Sequence, residues 1–254
     1  MKRIFIGLAV FLTLIFSFFG YLNFNYTTPI ITYHSIDGSR VDKYAAVSPQ
    51  VFLKQMEFIR DKNYRVTSLK DYCQLLEDGK AVPKKSVIIT FDDGLKDNLI
   101  AIKILKDFGF SATFFLVPEY IGKEEYLSKS DILAALADSK IDIGSHTISH
   151  TYFPSLTREE QERQIKDSKK MLSDIFSRDI VAMAYPIGGF NAETLDLVKD
   201  ASYLCACATN RGFSKKTGRF ALRRIKITNR DTNLTLWAKL SGFYNAFRKP
   251  KRPF

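Results

Sequence analysis

The chain has 254 residues, enough for one large domain with a full core. Its 38 Lys and Arg outweigh 27 Asp and Glu, and the net charge of +11 directs it to an anionic partner: a cell wall, a membrane surface or nucleic acid. The three cysteines, Cys73, Cys205 and Cys207, are odd in number and have no CxxC spacing, which argues against a disulfide framework or a zinc knuckle.

Met1-Lys-Arg precedes an uncharged apolar run from Ile4 to Leu22. Roughly 18 such residues span a bilayer as a helix. No Ala-x-Ala-like site closes the run, so the sequence predicts an uncleaved membrane anchor over 1–24 rather than a signal peptide. Lys2 and Arg3 stand before it and no basic residue follows until Arg40, which places the amino terminus in the cytoplasm and 25–254 outside the cell membrane. An exported domain rarely meets nucleic acid, and that partner is set aside.

Ile30 to His34 reads as the first strand. Ser48-Pro49 opens a helix with an apolar stripe at Phe52, Met56 and Ile59. Tyr64 to Thr67 is a short strand, and Ser68 caps a helix carrying Leu69, Cys73 and Leu76. Ser86 to Phe91 is a strand, followed by a helix over Leu99–Phe108 that Gly109 stops. Ala112 to Val117 is a strand, Ser130 starts a helix, and Ile141 to Gly144 is a strand. Thr157-Arg-Glu-Glu160 is a capping box that opens a long helix to Phe176. Ile180 to Tyr185 is a strand, Asn191 caps a helix to Lys199, and Tyr203 to Ala208 and Ala221 to Ile227 are strands before a helical segment over Leu234–Phe247. Cys205 and Cys207 share one strand face and read as core. The basic tail Arg248-Lys-Pro-Lys-Arg252 reads as a solvated end or a binding patch. This alternation implies parallel strands under an outer layer of helices, as a barrel or an open sheet.

Chemistry-bearing residues gather at the strand ends, where such folds place their sites. Ser86-Val-Ile-Ile-Thr-Phe ends in Asp92, Asp93 and Gly94. Two adjacent buried carboxylates repel unless a cation neutralises them. The chain's three histidines fall at two more strand ends, His34 after Ile30-Ile-Thr-Tyr and His146 and His150 in Ser145-His-Thr-Ile-Ser-His150. One aspartate and two histidines suit zinc, nickel, cobalt or iron(II) rather than calcium. A carboxylate and a further histidine beside such an ion make up the inventory for amide or ester hydrolysis.

Thr90-Phe-Asp-Asp-Gly94 together with His146-Thr-Ile-Ser-His150 resembles the motifs of the polysaccharide deacetylase, or NodB-homology, family of metal-dependent carbohydrate esterases, over about residues 29–230. The resemblance implies an α/β architecture, a distorted (β/α) barrel of about seven parallel strands, here preceded by one transmembrane helix and filling 25–254. It implies Asp92 as general base and Asp93, His146 and His150 as ligands of a divalent ion, zinc before the others. The family's Arg-x-Pro-Tyr-Gly-like motif corresponds to Ala184-Tyr-Pro-Ile-Gly188. Ala184 replaces the arginine that braces the base and Ile187 the tyrosine, so Tyr185, Pro186, Ile187 and Gly188 are expected to line the groove, with the Ile187 amide facing the oxyanion. No histidine follows His150. His34 on the first strand therefore resembles the general acid of the subgroup that deacetylates extracellular poly-N-acetylglucosamine. The expected function is metal-dependent N-deacetylation of that acetylated polysaccharide. Peptidoglycan, chitooligosaccharides, a small non-sugar amide and a non-catalytic glycan-binding role stand as alternatives.

Overall fold

A computed structural model of the chain describes residues 2–24, 26–37, 46–209 and 218–244, so the basic tail at 248–252 and residues 245–247 of the predicted last helix lie outside the described residues, and within them that helix stops at Leu240, short of its predicted extent. In order, the elements are α1 (Lys2–Phe24), β1 (Ile30–Tyr33), α2 (Pro49–Asp61), β2 (Arg65–Val66), α3 (Leu69–Glu77), β3 (Ser86–Phe91), α4 (Asn98–Phe108), β4 (Ala112–Leu116), α5 (Lys129–Leu136), β5 (Ile141–Ser145), α6 (Arg158–Phe176), β6 (Ala182–Ala184), α7 (Ala192–Asp200), β7 (Cys205–Ala208), β8 (Leu222–Lys226) and α8 (Asn233–Leu240). The predicted caps at Ser48, Ser68 and Asn191 and the Thr157–Glu160 capping box are all present. The start of α5 differs: Ser128, not Ser130, is its cap, because Ser128 closes a reciprocal box with Asp131.

Every strand pairing is parallel. β3 to β8 pair in succession, and β1 joins β8 to β3, closing a barrel. Of the eight strands, β2 alone stands outside the ring, beside the first residues of β3. The barrel expected from the sequence is therefore observed, with seven strands closing it.

Strand alternation sorts the core into two bodies. Ile31, Tyr33, Ile89, Phe91 and Phe114 face outward and pack with Phe52, Met56, Ala101 and Leu105 of the surrounding helices. Phe91 stacks on Tyr33 at 5.3 Å and on Phe114 at 4.5 Å. Ile30, Ile88, Phe115, Ala182, Ala184, Cys205, Cys207 and Leu222 form a second cluster in the lumen, with Leu69, Tyr72 and Cys73 of α3 packed against it.

One sequence expectation is overturned here. Cys73 and Cys205 form a disulfide, while Cys207 stays a free buried thiol in the core as expected. Helical spacing turns Cys73 towards the core but does not say which strand it meets. Its partner lies 132 residues on, and only barrel closure brings the two together. A cross-link closing so long a loop stabilises by about 2–4 kcal/mol. Cys73→Ala is expected to lower the midpoint of chemical denaturation, and a thiol reductant should lower the wild type to the same value and leave the variant unmoved.

The predicted transmembrane helix over Ile4–Leu22 is a helix, α1, but within it only the side chains of 6–7 and 11–21 are described. Among the described residues, no helix is long and apolar enough to cross a membrane. Just after α1, the Thr27 amide donates to the Gly242 carbonyl at 2.9 Å, and the Tyr26 hydroxyl accepts from the Lys85 amide at 3.1 Å. The chain thus enters the barrel at the end where β1 and β3 begin.

Candidate active site

The opposite end of the barrel carries the candidate residues. His34 follows β1, Asp92 and Asp93 follow β3, His146 follows β5, and the turn from Pro186 to Gly188 follows β6. Several are held in left-handed backbone: Asp93 (φ 72°), Thr147 (φ 67°), His150 (φ 58°) and Ile187 (φ 57°). Each such non-glycine residue stores about 1–3 kcal/mol of strain, and strain of this kind collects where a chain positions functional groups. The two β-branched residues, Thr147 and Ile187, are the least suited of these to that conformation.

Asp93, His146 and His150 converge. Asp93 Oδ1 lies 3.6 Å from His146 Nε2 and 3.4 Å from His150 Nε2. The three ligand atoms fall within 4.8 Å of one another. The Oδ1 atom is buried and has no hydrogen-bond partner among the described residues. An orphaned carboxylate oxygen facing two imidazole nitrogens is what a divalent ion would satisfy, so these residues fit a metal. His146 Nδ1 is 2.8 Å from the Ala184 carbonyl. A carbonyl can only accept, so Nδ1 carries the hydrogen and Nε2 presents its lone pair towards Asp93. Burial first, with His150 and Arg224 adding to it, holds the His146 imidazole below its ordinary pKa against the opposing pull of Asp92 and Asp93. It is therefore neutral, as a ligand must be. The His146–His150 spacing is not helical. It spans a loop whose Ile148 and Ser149 amides both donate to Gln164 Oε1 of α6, at 2.9 and 3.4 Å.

Asp92 is held differently. The adjacent carboxylates call for a cation to relieve them, and Ala184 stands where the family motif has the arginine that would brace Asp92. The structure supplies Arg224 from β8 instead. Its Nη1 and Nη2 donate to Asp92 Oδ1 and Oδ2 at 2.6 and 2.7 Å. The same guanidinium donates to the Ala208 carbonyl and to Thr90 Oγ1, and lies over the Phe115 ring at 5.3 Å. Both partners are almost wholly buried. Burial alone would raise the Asp92 pKa, but the Arg224 guanidinium, by its charge and its hydrogen bonds, holds the carboxyl well below the usual carboxylate range. Asp92 therefore stays ionised although it is buried. His34 Nε2 stands 3.8 Å from Asp92 Oδ2, beyond a hydrogen bond, so neither group is consumed by the other.

The turn after β6 only partly matches its expected role. Tyr185 is fully buried, its hydroxyl donates to the Phe220 carbonyl at 2.7 Å, and its ring stacks on Phe190. Its side chain and that of the buried Pro186 support the turn, so neither lines a groove. Ile187 is 58% exposed and is the one side chain of the turn that faces outward. Gly188 (φ 72°) lies so close to Thr209 that an added Cβ would come within 2.3 Å of its Oγ1, which fixes the turn against β7.

Comparison with known proteins agrees with this geometry. Residues 79–206 match the polysaccharide deacetylase family model. YxkH of Bacillus subtilis, a polysaccharide deacetylase by assignment, is 32% identical over 202 residues, covering 79% of this chain and 71% of that protein. The poly-beta-1,6-N-acetyl-D-glucosamine N-deacetylase of Staphylococcus epidermidis is 28% identical over 180 residues, 65% of this chain, and the match spans 61% of that longer relative. Among solved structures, the Streptococcus pyogenes deacetylase PplD in complex with acetate superposes with a TM-score of 0.77 at 26% identity, covering 84% of this chain and 97% of that one. The chain therefore belongs to the polysaccharide deacetylase family and is an N-deacetylase enzyme.

Proposed function

We propose that the enzyme removes N-acetyl groups from an extracellular N-acetylglucosamine polymer, with poly-N-acetylglucosamine as substrate and Asp93, His146 and His150 holding a divalent ion, zinc first among the candidates. The observation that carries this reading is the meeting of His34 and the Arg224-braced Asp92 beside the Asp93–His146–His150 cluster. A bound divalent ion supplies Lewis acidity there, making water more acidic and a carbonyl more electrophilic. Asp92, ionised and fixed by Arg224, accepts the proton of the attacking water. The Ile187 amide meets the charge that grows on the carbonyl oxygen. His34, as imidazolium, donates from Nε2 to the departing sugar amine as the C–N bond breaks, and acetate and a free amine leave. The deacetylated polymer gains positive charge and holds better to anionic surfaces.

We infer further that the domain works outside the cell, tied to the membrane through α1. The Cys73–Cys205 bond supports this, since disulfides persist in oxidising compartments. Residues 26–27 join the barrel at the end opposite the candidate site, so an anchor at α1 would leave that site facing away from the membrane. The deciding experiment measures acetate release by metal-loaded protein from poly-N-acetylglucosamine and from peptidoglycan side by side, with wild type and His34→Ala. Turnover of the first polymer, lost by about 10²-fold or more in His34→Ala with metal retained, is the expected result. Near-normal turnover in His34→Ala would overturn the acid assignment, and release from peptidoglycan alone would overturn the substrate.

A further inference from the structure

We propose that Asp97 and Asn98, at the start of α4, form a clamp that positions His34 for proton donation. The proposal rests on the acid role assigned to His34 above. The His34 ring has an unusual lack of support. Its Nδ1 is buried and bonded by none of the described residues. A working histidine is commonly oriented by a carboxylate or carbonyl on its second nitrogen. With none among the described residues, the backbone of His34 is the part of the residue that hydrogen bonds hold in place.

That backbone is held by two consecutive side chains. Asn98 Nδ2 donates to the His34 carbonyl at 2.7 Å. Ser35 Oγ donates to Asp97 Oδ2 at 2.6 Å, and the Ile36 amide donates to Asp97 Oδ1 at 3.1 Å. Asn98 Nδ2 also donates to Asp97 Oδ1 at 3.0 Å, which joins the two into one unit. Asn98 is fully buried. Both of its amide hydrogens face acceptors, so a flipped amide would set oxygen against oxygen. Its own Oδ1 has no partner among the described residues. A buried unpartnered oxygen is unfavourable, and a leucine would fill the space without it. What Asn98 supplies is therefore its two donors.

The clamp also sets a distance. Asp92, Asp97 and Asn98 lie on one short stretch from the end of β3 into α4, so the segment that carries the base grips the loop that carries the acid. Misplacing a reacting group by about 1 Å can lower the rate 10²-fold.

The test separates leaving groups. N-acetylglucosamine oligomers release an amine that must be protonated, whereas 4-nitrophenyl acetate releases a phenolate that leaves unprotonated. In metal-loaded protein, Asn98→Ala is expected to lower acetate release from the oligomers by about 10- to 100-fold, mainly in kcat, and ester hydrolysis by no more than about threefold. His34→Ala should lower the same amide-to-ester ratio. Adding Asn98→Ala to His34→Ala should change amide turnover by less than about twofold, because the clamp then has nothing to position. Equal losses on both substrates, or additive losses in the double variant, would overturn the clamp. Unimpaired amide turnover in His34→Ala alone would instead remove the acid reading on which the clamp rests. Should Asn98→Ala fail to fold, the half-buried Asp97→Ala must lower the ratio; an unchanged ratio in that folded variant overturns the proposal equally.

Discussion

Asp93→Asn is expected to leave a folded protein that holds no metal and releases no measurable acetate. The substitution keeps the side-chain shape, and asparagine tolerates the left-handed backbone at this position (φ 72°), so the result reports charge and not strain. Oδ1 is the atom that His146 and His150 share, at 3.6 and 3.4 Å, and it has no other partner among the described residues. A neutral amide oxygen is a poor ligand, and its NH₂ group would face an imidazole nitrogen. Loss of Lewis acidity removes several kcal/mol of transition-state stabilisation, about three orders of magnitude in rate or more. His146→Ala should do the same, and a chelator should bring the wild type to the same level. Elemental analysis beside an acetate assay checks both. Unlike these, His34→Ala should keep its metal, because His34 lies outside the candidate Asp93–His146–His150 cluster. If Asp93→Asn retained metal and turnover, the cluster would not be the metal site.

The contrast between Asp93 and Arg224 shows what a sequence discloses about such a site. Asp92, Asp93, His34 and His146 follow strand ends directly, so strand periodicity and parallel topology are enough to bring them to one end of the barrel. Short-range spacing similarly fixed most helix caps, because a cap is settled within four residues. Arg224 could not be read in that way. It is one of 38 cationic side chains, and its partner lies 132 residues earlier. The signal it does carry is positional. On β8 it shares the lumen face with Leu222, where a charge must be paired, and Ala184 leaves the base without its expected brace. The disulfide escaped for the same reason, since its two ends meet only after the barrel closes. Asp97 and Asn98 look in sequence like an ordinary polar helix start. Their reach to residues 34–36 follows from the β1–β3 pairing, which no local pattern encodes. Tyr185 misled in the opposite direction, because a motif position cannot show that its hydroxyl is already bonded inside the core.

Arg224→Leu is expected to cost about 3–5 kcal/mol of stability at neutral pH and to remove most of the activity. The guanidinium is fully buried and gives Asp92 both of its short hydrogen bonds. Removing one partner of a buried pair leaves the other charge uncompensated, which is worse than losing the pair's net attraction. Asp92 then feels burial without the guanidinium to offset it, so its pKa rises and the fraction ready to accept a proton falls. The pH dependence gives the sign. In the wild type the folded pKa of Asp92 is depressed, so the pair's contribution is present above the unfolded carboxylate pKa and is lost as pH falls through the lower folded value. The stability gap between wild type and Arg224→Leu should therefore be largest near neutrality and narrow in acid. Arg224→Lys keeps the charge but loses the fork, and should fall between the two in both stability and rate. Denaturant unfolding across the acid range, together with the acidic limb of the kcat/KM profile, checks this prediction. A gap that stays constant with pH would mean that Arg224 supports the barrel by packing alone and does not set the charge state of the base.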